Sequence, residues 1–314
     1  MCMESLGRRE VSTKRIGFIG VGLMGHGMAK NLVEKGFPTM VMGHRNRAPV
    51  EDLVGRGAKE AKDLRTLCEA SDVVILCVTG TPQVEDLVYR DAGILACGRK
   101  GQIVIDTSTS QPASTLRIAA DLQAKGMRFV DAPLSRTPAE AAQGRLNSMV
   151  GADEATLQEI RPVLGAYSEN ILHAGGTGAG HKIKLINNFG VIAQLAIIGE
   201  LLAACVKLEV DPTMFFKLFS LGAASSPMFQ NVAGKAVEGD FTGHKFALVN
   251  AAKDMRYYNQ MATEAGLAGP MAATTLQSVI AAMNLGFSGP EHLTASLVLA
   301  QSKLNGVAFP PVKE

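Results

Sequence analysis

The first half of the chain alternates short apolar runs with longer segments of mixed polarity. The apolar runs lie at residues 16–20, 39–42, 73–78 and 103–105, and each is hydrophobic almost without interruption. Runs of this kind are typical of parallel strands that helices cover on both faces. The intervening segments 23–35, 50–56 and 82–89 mix charged and apolar residues, as crossover helices do. This order predicts an α/β fold with a doubly wound parallel sheet.

Residues 129–131, 148–151 and 171–173 are expected to extend this sheet. After the glycine-rich run at 175–180 almost nothing is strand-like, and alanine, leucine and methionine dominate. Residues 182–208 predict one helix of about 40 Å, apolar nearly all round and therefore buried between layers or subunits. Asp211 and Pro212 are expected to cap and begin the next helix. We therefore predict a disordered extension at 1–13, a nucleotide-binding domain at 14–176 and an all-helical domain at 177–314.

The composition of the chain limits the classes of partner that we expect it to bind. Hydrophobic residues make up 47% of the 314 and charged residues 19%, as in a globular protein, and the net charge of +2 gives no electrostatic case for nucleic acid or an anionic membrane. The longest apolar stretch, between Lys184 and Glu200, is interrupted by polar residues and falls short of the ~20 residues that a membrane span needs. The five cysteines are widely spaced, which predicts reduced thiols in a cytoplasmic protein and no metal site.

A glycine-rich loop joins the first predicted strand to the first predicted helix. It reads Gly20-Val21-Gly22-Leu23-Met24-Gly25. A strand before and a helix after this pattern are the context that a dinucleotide site requires. Gly20 allows the tight turn, Gly22 lets the backbone approach a pyrophosphate, and Gly25 lets helix and strand pack closely. The predicted sheet is therefore of the Rossmann type and binds NAD or NADP. The later glycine run at 175–180 lacks a following Gly-Lys-Ser/Thr and is expected to be a hinge into the long helix.

The end of the second strand favours NADP(H) over NAD. NAD sites usually carry an acid there, about 20 residues past the loop, for the ribose 2′-hydroxyl. Here the run is Gly43-His44-Arg45-Asn46-Arg47. Arg45 and Arg47 can bracket a 2′-phosphate, with His44 and Asn46 between them. A solvated basic turn is the alternative.

Further blocks of sequence follow in order between residues 14 and 306. They are Gly17–Gly25 with Met28-Ala29 and Asn31-Leu32, Asp106-Thr107-Ser108-Thr109, Asp131-Ala132-Pro133-Leu134-Ser135, Lys184-Leu185-Ile186-Asn187-Asn188, and Lys253-Asp254. With this set of blocks the chain resembles the β-hydroxyacid dehydrogenase family, which includes 3-hydroxyisobutyrate dehydrogenases and tartronate semialdehyde reductases. The resemblance implies that Lys184 is the general acid/base and that Asn188 lies at the reacting oxygen.

The resemblance implies further contacts. Val78, Thr79 and Thr109 are expected at the cofactor, and Ser135 at the substrate. Lys253 and Asp254 are expected to close the site from the helical domain, Lys253 toward the cofactor and Asp254 toward the substrate. Phe246 is expected to pack over the substrate.

The chemistry of the residues agrees. Hydride transfer to a carbonyl needs a proton donor, and a lysine serves when burial lowers its pKa. Lys184 and Asn188 are four residues apart, so their side chains share one face of a helix.

One step departs from the family pattern. Most members follow the equivalent of Ser135 with two glycines, whereas this chain has Arg136 and Thr137. We expect Arg136 and Thr137 to bind a small anionic substrate, a carboxylate or a more oxygen-rich anion. A sulfolactaldehyde reductase-like enzyme and an NADP-dependent threonine- or serine-type dehydrogenase stay open, and a non-catalytic NADP-binding module is a remote alternative. Two other groups of enzymes share the architecture but fit the chain less well. 6-Phosphogluconate dehydrogenases are longer, and imine reductases typically have a different residue at the position of Lys184. The resemblance also predicts a homodimer or homotetramer.

Overall fold

The computed structural model describes residues 14–43 and 45–309, so the predicted extension at 1–13 lies outside it. The chain divides into two compact units, one ending at His181 and the other beginning at Lys182. This division falls five residues after the predicted boundary at 176/177. The first turn of the long helix belongs to the N-terminal unit, because its backbone hydrogen-bonds to a buried aspartate there.

A nine-stranded sheet forms the centre of the N-terminal unit among the described residues. The strands are β1 (Ile16–Ile19), β2 (Thr39–Met42), β3 (Lys59–Glu60), β4 (Val73–Leu76), β5 (Ile103–Asp106), β6 (Arg128–Asp131), β7 (Leu134–Ser135), β8 (Leu146–Gly151) and β9 (Ser168–Gly175). Their order is β3-β2-β1-β4-β5-β6-β8-β7, with β9 beside β8. Strands β1 to β6 are parallel, whereas β8 is antiparallel to β6 and β7 and parallel to β9.

Helices cover both faces of this sheet. They are α1 (Leu23–Glu34), α2 (Ala48–Gly55), α3 (Leu64–Ala70), α4 (Thr81–Tyr89), α5 (Ile94–Cys97), α6 (Pro112–Ala124), α7 (Pro138–Ala142) and α8 (Glu154–Tyr167). Alternate residues of one strand enter different cores: Val73 and Ile75 pack in one, Val74 and Leu76 in the other. This two-sided burial explains the uninterrupted apolar runs of the sequence and confirms the predicted doubly wound fold.

The regular apolar runs predicted the central strands. They did not predict elements that are polar or short. Strand β2 has the predicted bounds, and β1 and β4 end one or two residues early. Strand β3 is two exposed residues long, with no hydrophobic signal to find. Strand β8 runs antiparallel to β6, because the chain turns back through β7 and α7 instead of crossing over the sheet.

The second unit is helical. Its helices are the long α9 (Ala179–Lys207), which begins at the end of the first unit, then α10 (Pro212–Ser220), α11 (Pro227–Val237), α12 (Leu248–Glu264), α13 (Pro270–Asn284) and α14 (Leu297–Leu304), with a 3-10 turn at Thr294–Ser296. The described residues after β9 form one isolated bridge and no named strand, as the sequence predicts. Asp211 caps α10 by accepting a hydrogen bond from the backbone N of Thr213 at 2.9 Å.

The length of α9 corrects one expectation. We predicted an apolar stretch too short to span a membrane, but the polar residues inside it do not end the helix. With 29 residues and a mean hydropathy of 2.1, α9 is long and apolar enough to cross a membrane by length and composition alone. Core helices of soluble proteins share these properties, and Leu185, Ile192 and Leu195 of α9 are buried in the helical core. The absence of a membrane partner stays a prediction, as does the oligomeric state.

Candidate active site

The glycine loop between β1 and α1 leaves no room for side chains at two positions. Gly20 has a φ of 98°, which side chains rarely adopt, and a Cβ there would lie 2.1 Å from the carbonyl oxygen of Cys77. A Cβ at Gly25 would lie 1.9 Å from the carbonyl oxygen of Gly20. Nothing lies within 4 Å of the Cβ position of Gly22. The loop is therefore tight against the strand and helix and open at its middle glycine.

The start of α1 adds hydrogen-bond donors to this loop. Its N-cap is Gly22, which has no side chain to satisfy the first N–H groups. The partial positive charge of the helix start is therefore available to an anion. Leu23 is 85% exposed, while Met24 packs against the core. An open glycine beside an uncapped helix fits a bound pyrophosphate, so the residues present suit the nicotinamide dinucleotide that the sequence predicts.

The turn after β2 carries the residues predicted to read the ribose. His44 lies outside the described residues. Arg45 and Asn46 are exposed, and the side chain of Asn46 accepts a hydrogen bond from the backbone N of Ala48 at 3.3 Å, at the start of α2. Arg45 is thus open to solvent, whereas Asn46 shapes the turn.

Arg47 has a partner that sequence reasoning missed. Its Nη1 and Nη2 donate to the two carboxylate oxygens of Glu60 at 2.7 and 2.8 Å. Arg47 lowers the pKa of Glu60 through these hydrogen bonds. Glu60 lies on β3, and β3 pairs with β2 by matching Glu60 with Val41. Because Glu60 lies on a neighbouring strand, no local sequence motif predicts its contact with Arg47.

The carboxyl ends of β4 and β5 are tied together. The backbone N of Val78 donates to the hydroxyl of Ser108 at 3.0 Å. The buried carboxylate of Asp106 accepts from the backbone N of Ser108 and the hydroxyl of Ser110, both at 2.8 Å. The predicted cofactor contact Thr79 is exposed in the turn after β4, and Thr109 is half-buried after β5. Both follow parallel strands at the sheet edge where ligands bind in such folds.

The run from Ser135 to Thr137 already has partners within its own unit. Ser135 Oγ accepts from the side chain of Asn147 at 3.0 Å. Thr137 caps α7: its hydroxyl accepts from the backbone N of Ala139 at 3.3 Å, and its backbone N donates to Glu140 at 3.0 Å. The spacing Thr-x-x-Glu is a capping box, a signal that the sequence analysis overlooked.

Arg136 is engaged as well. Its guanidinium pairs with Glu169 and donates to the carbonyl oxygen of Arg145 at 2.5 Å. Its φ of 82° lies in the left-handed region that glycine adopts without strain, which matches the glycine that most family members carry there. Substrate binding by Arg136 therefore stays a prediction, and an anion would have to compete with Glu169.

A buried group of Asp131 and His181, which sequence reasoning missed, fixes the start of α9. Asp131 accepts from the backbone N of Gly178 at 2.6 Å and of His181 at 2.8 Å. Burial raises the pKa of this carboxyl above its usual range. The His181 ring contacts the hydroxyl of Thr115 at 2.7 Å. Gly178 has a φ of 90° at the turn into the helix, and its N–H donates to Asp131, while a hinge at this run stays a prediction.

In the helical unit, Asn188 is bonded to a buried carboxylate. Asn188 Nδ2 donates to Asp254 Oδ2 at 2.6 Å, and both side chains are buried. The Lys253 ammonium lies 3.2 Å from Asp254 Oδ1, which has no hydrogen-bond partner among the described residues. The structure shows Asp254 anchoring Asn188, and its contact with substrate stays a prediction.

Lys184 belongs to the same group of charges. Burial lowers the pKa of Lys184, the negative charge of Asp254 partly offsets this, and the positive charge of Lys253 adds to it. Helix α9 places Lys184 and Asn188 one turn apart on one face. A lysine with a lowered pKa beside an amide that a buried carboxylate orients is suited to exchange a proton with an oxygen.

His244 also lies near Lys184 and was absent from the predicted site. Its Nδ1 lies 2.6 Å from the hydroxyl of the buried Thr294. Burial and the positive charge of Lys184 lower the pKa of His244. The rings of His244 and Phe246 contact edge to face at 6.3 Å. His244 belongs to none of the sequence blocks, so the sequence analysis did not identify it.

Comparisons with known proteins cover both units. A family model described as the NAD binding domain of 6-phosphogluconate dehydrogenase matches residues 15–176. A second, described as NAD-binding of NADP-dependent 3-hydroxyisobutyrate dehydrogenase, matches residues 178–298. The chain therefore binds a nicotinamide dinucleotide.

Individual relatives resemble the chain over most of its length. The 2-(hydroxymethyl)glutarate dehydrogenase of Eubacterium barkeri is 31% identical over 94% of this chain and 97% of its own. The 2-hydroxy-3-oxopropionate reductase of Escherichia coli is 32% identical over 83% of this chain and 88% of its own. The crystal structure of 3-hydroxyisobutyrate dehydrogenase from Salmonella typhimurium has a TM-score of 0.77 and 26% identity, covering 91% of this chain and 99% of that one.

The order of the two family models, the dinucleotide loop and these full-length relatives lead to one assignment. The chain belongs to the β-hydroxyacid dehydrogenase family of NAD(P)-dependent oxidoreductases.

Proposed function

We propose that this protein interconverts a primary alcohol and an aldehyde on the carbon β to a carboxylate, with NADP(H) preferred over NAD(H). The observation that carries the proposal is the group formed by Lys184, Asn188 and Asp254 in the helical unit. It supplies a proton donor of lowered pKa and an oriented amide, which is what a carbonyl oxygen needs as it becomes an alcohol.

Lys184 is the proton donor in the reductive direction. When bound, the nicotinamide supplies or accepts the hydride. As the aldehyde carbon gains the hydride, its oxygen takes a proton from the Lys184 ammonium, which becomes a neutral amine. Asn188, held by Asp254, donates a hydrogen bond to the same oxygen and orients it. In the oxidative direction the neutral amine of Lys184 takes the proton back.

The relatives support the substrate class. The names 2-(hydroxymethyl)glutarate, 2-hydroxy-3-oxopropionate and 3-hydroxyisobutyrate all describe a carboxylate with an alcohol or aldehyde on the β carbon. We propose that Ser135 and the backbone beside it bind this carboxylate. Arg136 joins them only if the anion displaces Glu169 from it.

The test measures oxidation of a substrate panel with each cofactor. The panel is 3-hydroxyisobutyrate, glycerate, D- and L-threonine, L-serine and 2,3-dihydroxypropane-1-sulfonate, the alcohol of sulfolactaldehyde. We expect the highest kcat/KM on a small β-hydroxy carboxylate with NADP. Turnover only of the amino acids or of the dihydroxypropanesulfonate would favour those alternatives, and no turnover with any of them would contradict the proposal.

A pair of lysines on α9 tests the proton transfer. Lys184→Ala is expected to reduce kcat by about 10²–10⁴-fold, the usual contribution of a positioned acid or base. Lys184→Arg should fail as well, because arginine keeps its charge but does not release a proton. Lys182→Ala removes an exposed lysine from the same helix and is the matched control. Near wild-type turnover of Lys184→Ala would overturn the assigned role.

A further inference from the structure

The ion pair between Arg47 and Glu60 occupies a special position in the sheet. Strand β2 ends at Met42, and the residue after it is the place where NAD sites carry their acid. This chain has Gly43 there. A Cβ on Gly43 would lie 2.3 Å from Arg47 Nη1 and 2.8 Å from Glu60 Oε1. The ion pair therefore fills the volume in which an acidic side chain at residue 43 would begin.

A carboxylate thus reaches the ribose-reading position by a different route. Glu60 extends from β3, the strand paired with β2, and both of its oxygens face the guanidinium of Arg47. An NAD site usually gains its acid from the end of β2 itself. Here the neighbouring strand supplies it, and Arg47 covers it.

The pair also lines a cleft of suitable size. The cleft has a volume of about 810 Å³ and is lined by Met42, Gly43, Arg47, Glu60, Arg65 and Arg90, among others. Its wall carries more cations than acids, so a phosphate is tolerated. A volume in this range is usual for small-molecule sites. Arg47 is about half-exposed and Glu60 about one-third exposed, so water screens part of their mutual attraction.

From this geometry we infer that Glu60 sets the cofactor preference by competing with the 2′-phosphate of NADP for Arg47. With NAD, Glu60 stands in for the missing acid of β2 and accepts a hydrogen bond from the ribose 2′-hydroxyl. With NADP, the side chain of Arg47 turns from Glu60 to the 2′-phosphate. The freed carboxylate of Glu60 then repels that phosphate. The wild-type protein therefore binds both cofactors, and Glu60 reduces its preference for NADP over NAD. This inference rests on the proposed preference for NADP.

Binding measurements without substrate test it. Dissociation constants for NAD and NADP are measured by calorimetry on the full chain, at low and high salt. Glu60→Gln is expected to raise the ratio of NADP to NAD affinity about tenfold, the effect of one charge-assisted hydrogen bond changing partners. Arg47→Gln is expected to weaken NADP and leave NAD almost unchanged. The salt dependence of NADP binding should be smaller in Arg47→Gln, since one cation is gone.

Controls separate the possible failures. Glu154→Gln makes the same charge change on α8, at an exposed carboxylate that is outside the cleft lining, and should leave the ratio unchanged. Equal melting temperatures of Glu60→Gln and Glu60→Ala with wild type would show that the fold is kept. If both cofactors bind and Glu60→Gln leaves the ratio within about twofold, this inference is wrong while the proposed function stands. If Glu60→Gln raises the ratio but wild type turns over none of the panel, the cofactor inference stands and the proposed reaction fails. If neither cofactor binds to wild type, both are wrong.

Discussion

Gly25→Ala has two opposing effects on stability. Alanine has a higher helix propensity than glycine, but its methyl group does not fit the packing of the dinucleotide loop. In an open helix position alanine is more stable than glycine by roughly 1 kcal/mol. At Gly25, however, the new methyl would lie 1.9 Å from the carbonyl oxygen of Gly20 and 3.1 Å from the ring of Phe18. Ordinary contacts between such atoms are over 3 Å, so α1 must move away from β1 by about an ångström.

The two effects can be weighed. Overpacking of this kind costs about 1–3 kcal/mol, and here one contact is with backbone, which yields less than a side chain. We therefore expect a net loss of about 1–2 kcal/mol in the free energy of unfolding. Because the displaced atoms are the N–H donors of the loop, NADP affinity should fall by about tenfold or more as well.

The assay compares Gly25→Ala with Gly165→Ala. Gly165 lies inside α8 with nothing within 4 Å of its Cβ position, so alanine there should stabilise the protein by about 0.5–1 kcal/mol. Urea unfolding and calorimetry with NADP supply the two measurements. If Gly25→Ala is as stable as Gly165→Ala, or binds NADP like wild type, the argument from close packing is refuted.

Three further changes test the site and its surroundings. Asp254→Asn removes a charge that raises the pKa of Lys184, so the loss of aldehyde reduction with rising pH should begin at lower pH than in wild type; an unmoved pH profile would separate Asp254 from Lys184. Thr137→Ala should cost about 1 kcal/mol in urea unfolding through loss of the α7 cap, while Thr137→Ser keeps it; a large change in KM would instead favour a substrate contact. His244→Phe should cost about 1–3 kcal/mol, because the buried Thr294 hydroxyl loses its partner, and adding Thr294→Val should restore most of this stability.

The sequence predicted those parts of the fold whose signal is local. The uninterrupted apolar run 73–78 indicated burial on both faces, and the structure places Val73 and Val74 in opposite cores. The capped start of α10 at Asp211 was also visible, because a cap is made within one turn. Strand β3 could not be found, since two exposed residues carry no periodicity.

The site was predictable only as far as a motif reaches. The glycine loop and the spacing of Lys184 and Asn188 are local and were read correctly as a loop and a shared helix face. The contacts that decide the chemistry join distant residues: Arg47 with Glu60, Asn188 with Asp254, and Asp131 with the start of α9. Such pairs depend on which strands and helices become neighbours, and no spacing along the chain encodes that.

The carboxylate of Asp131 has a consequence for how this enzyme can change. By holding the backbone of Gly178 and His181, it fixes the rotational phase of α9 at its first turn. Each residue added to an α-helix rotates the following side chains by about 100° and advances them by about 1.5 Å. One residue inserted between His181 and Lys184 would thus swing the lysine about a quarter of a turn around the helix, with every hydrogen bond of the helix still made. We expect this stretch to accept substitutions and to reject insertions and deletions.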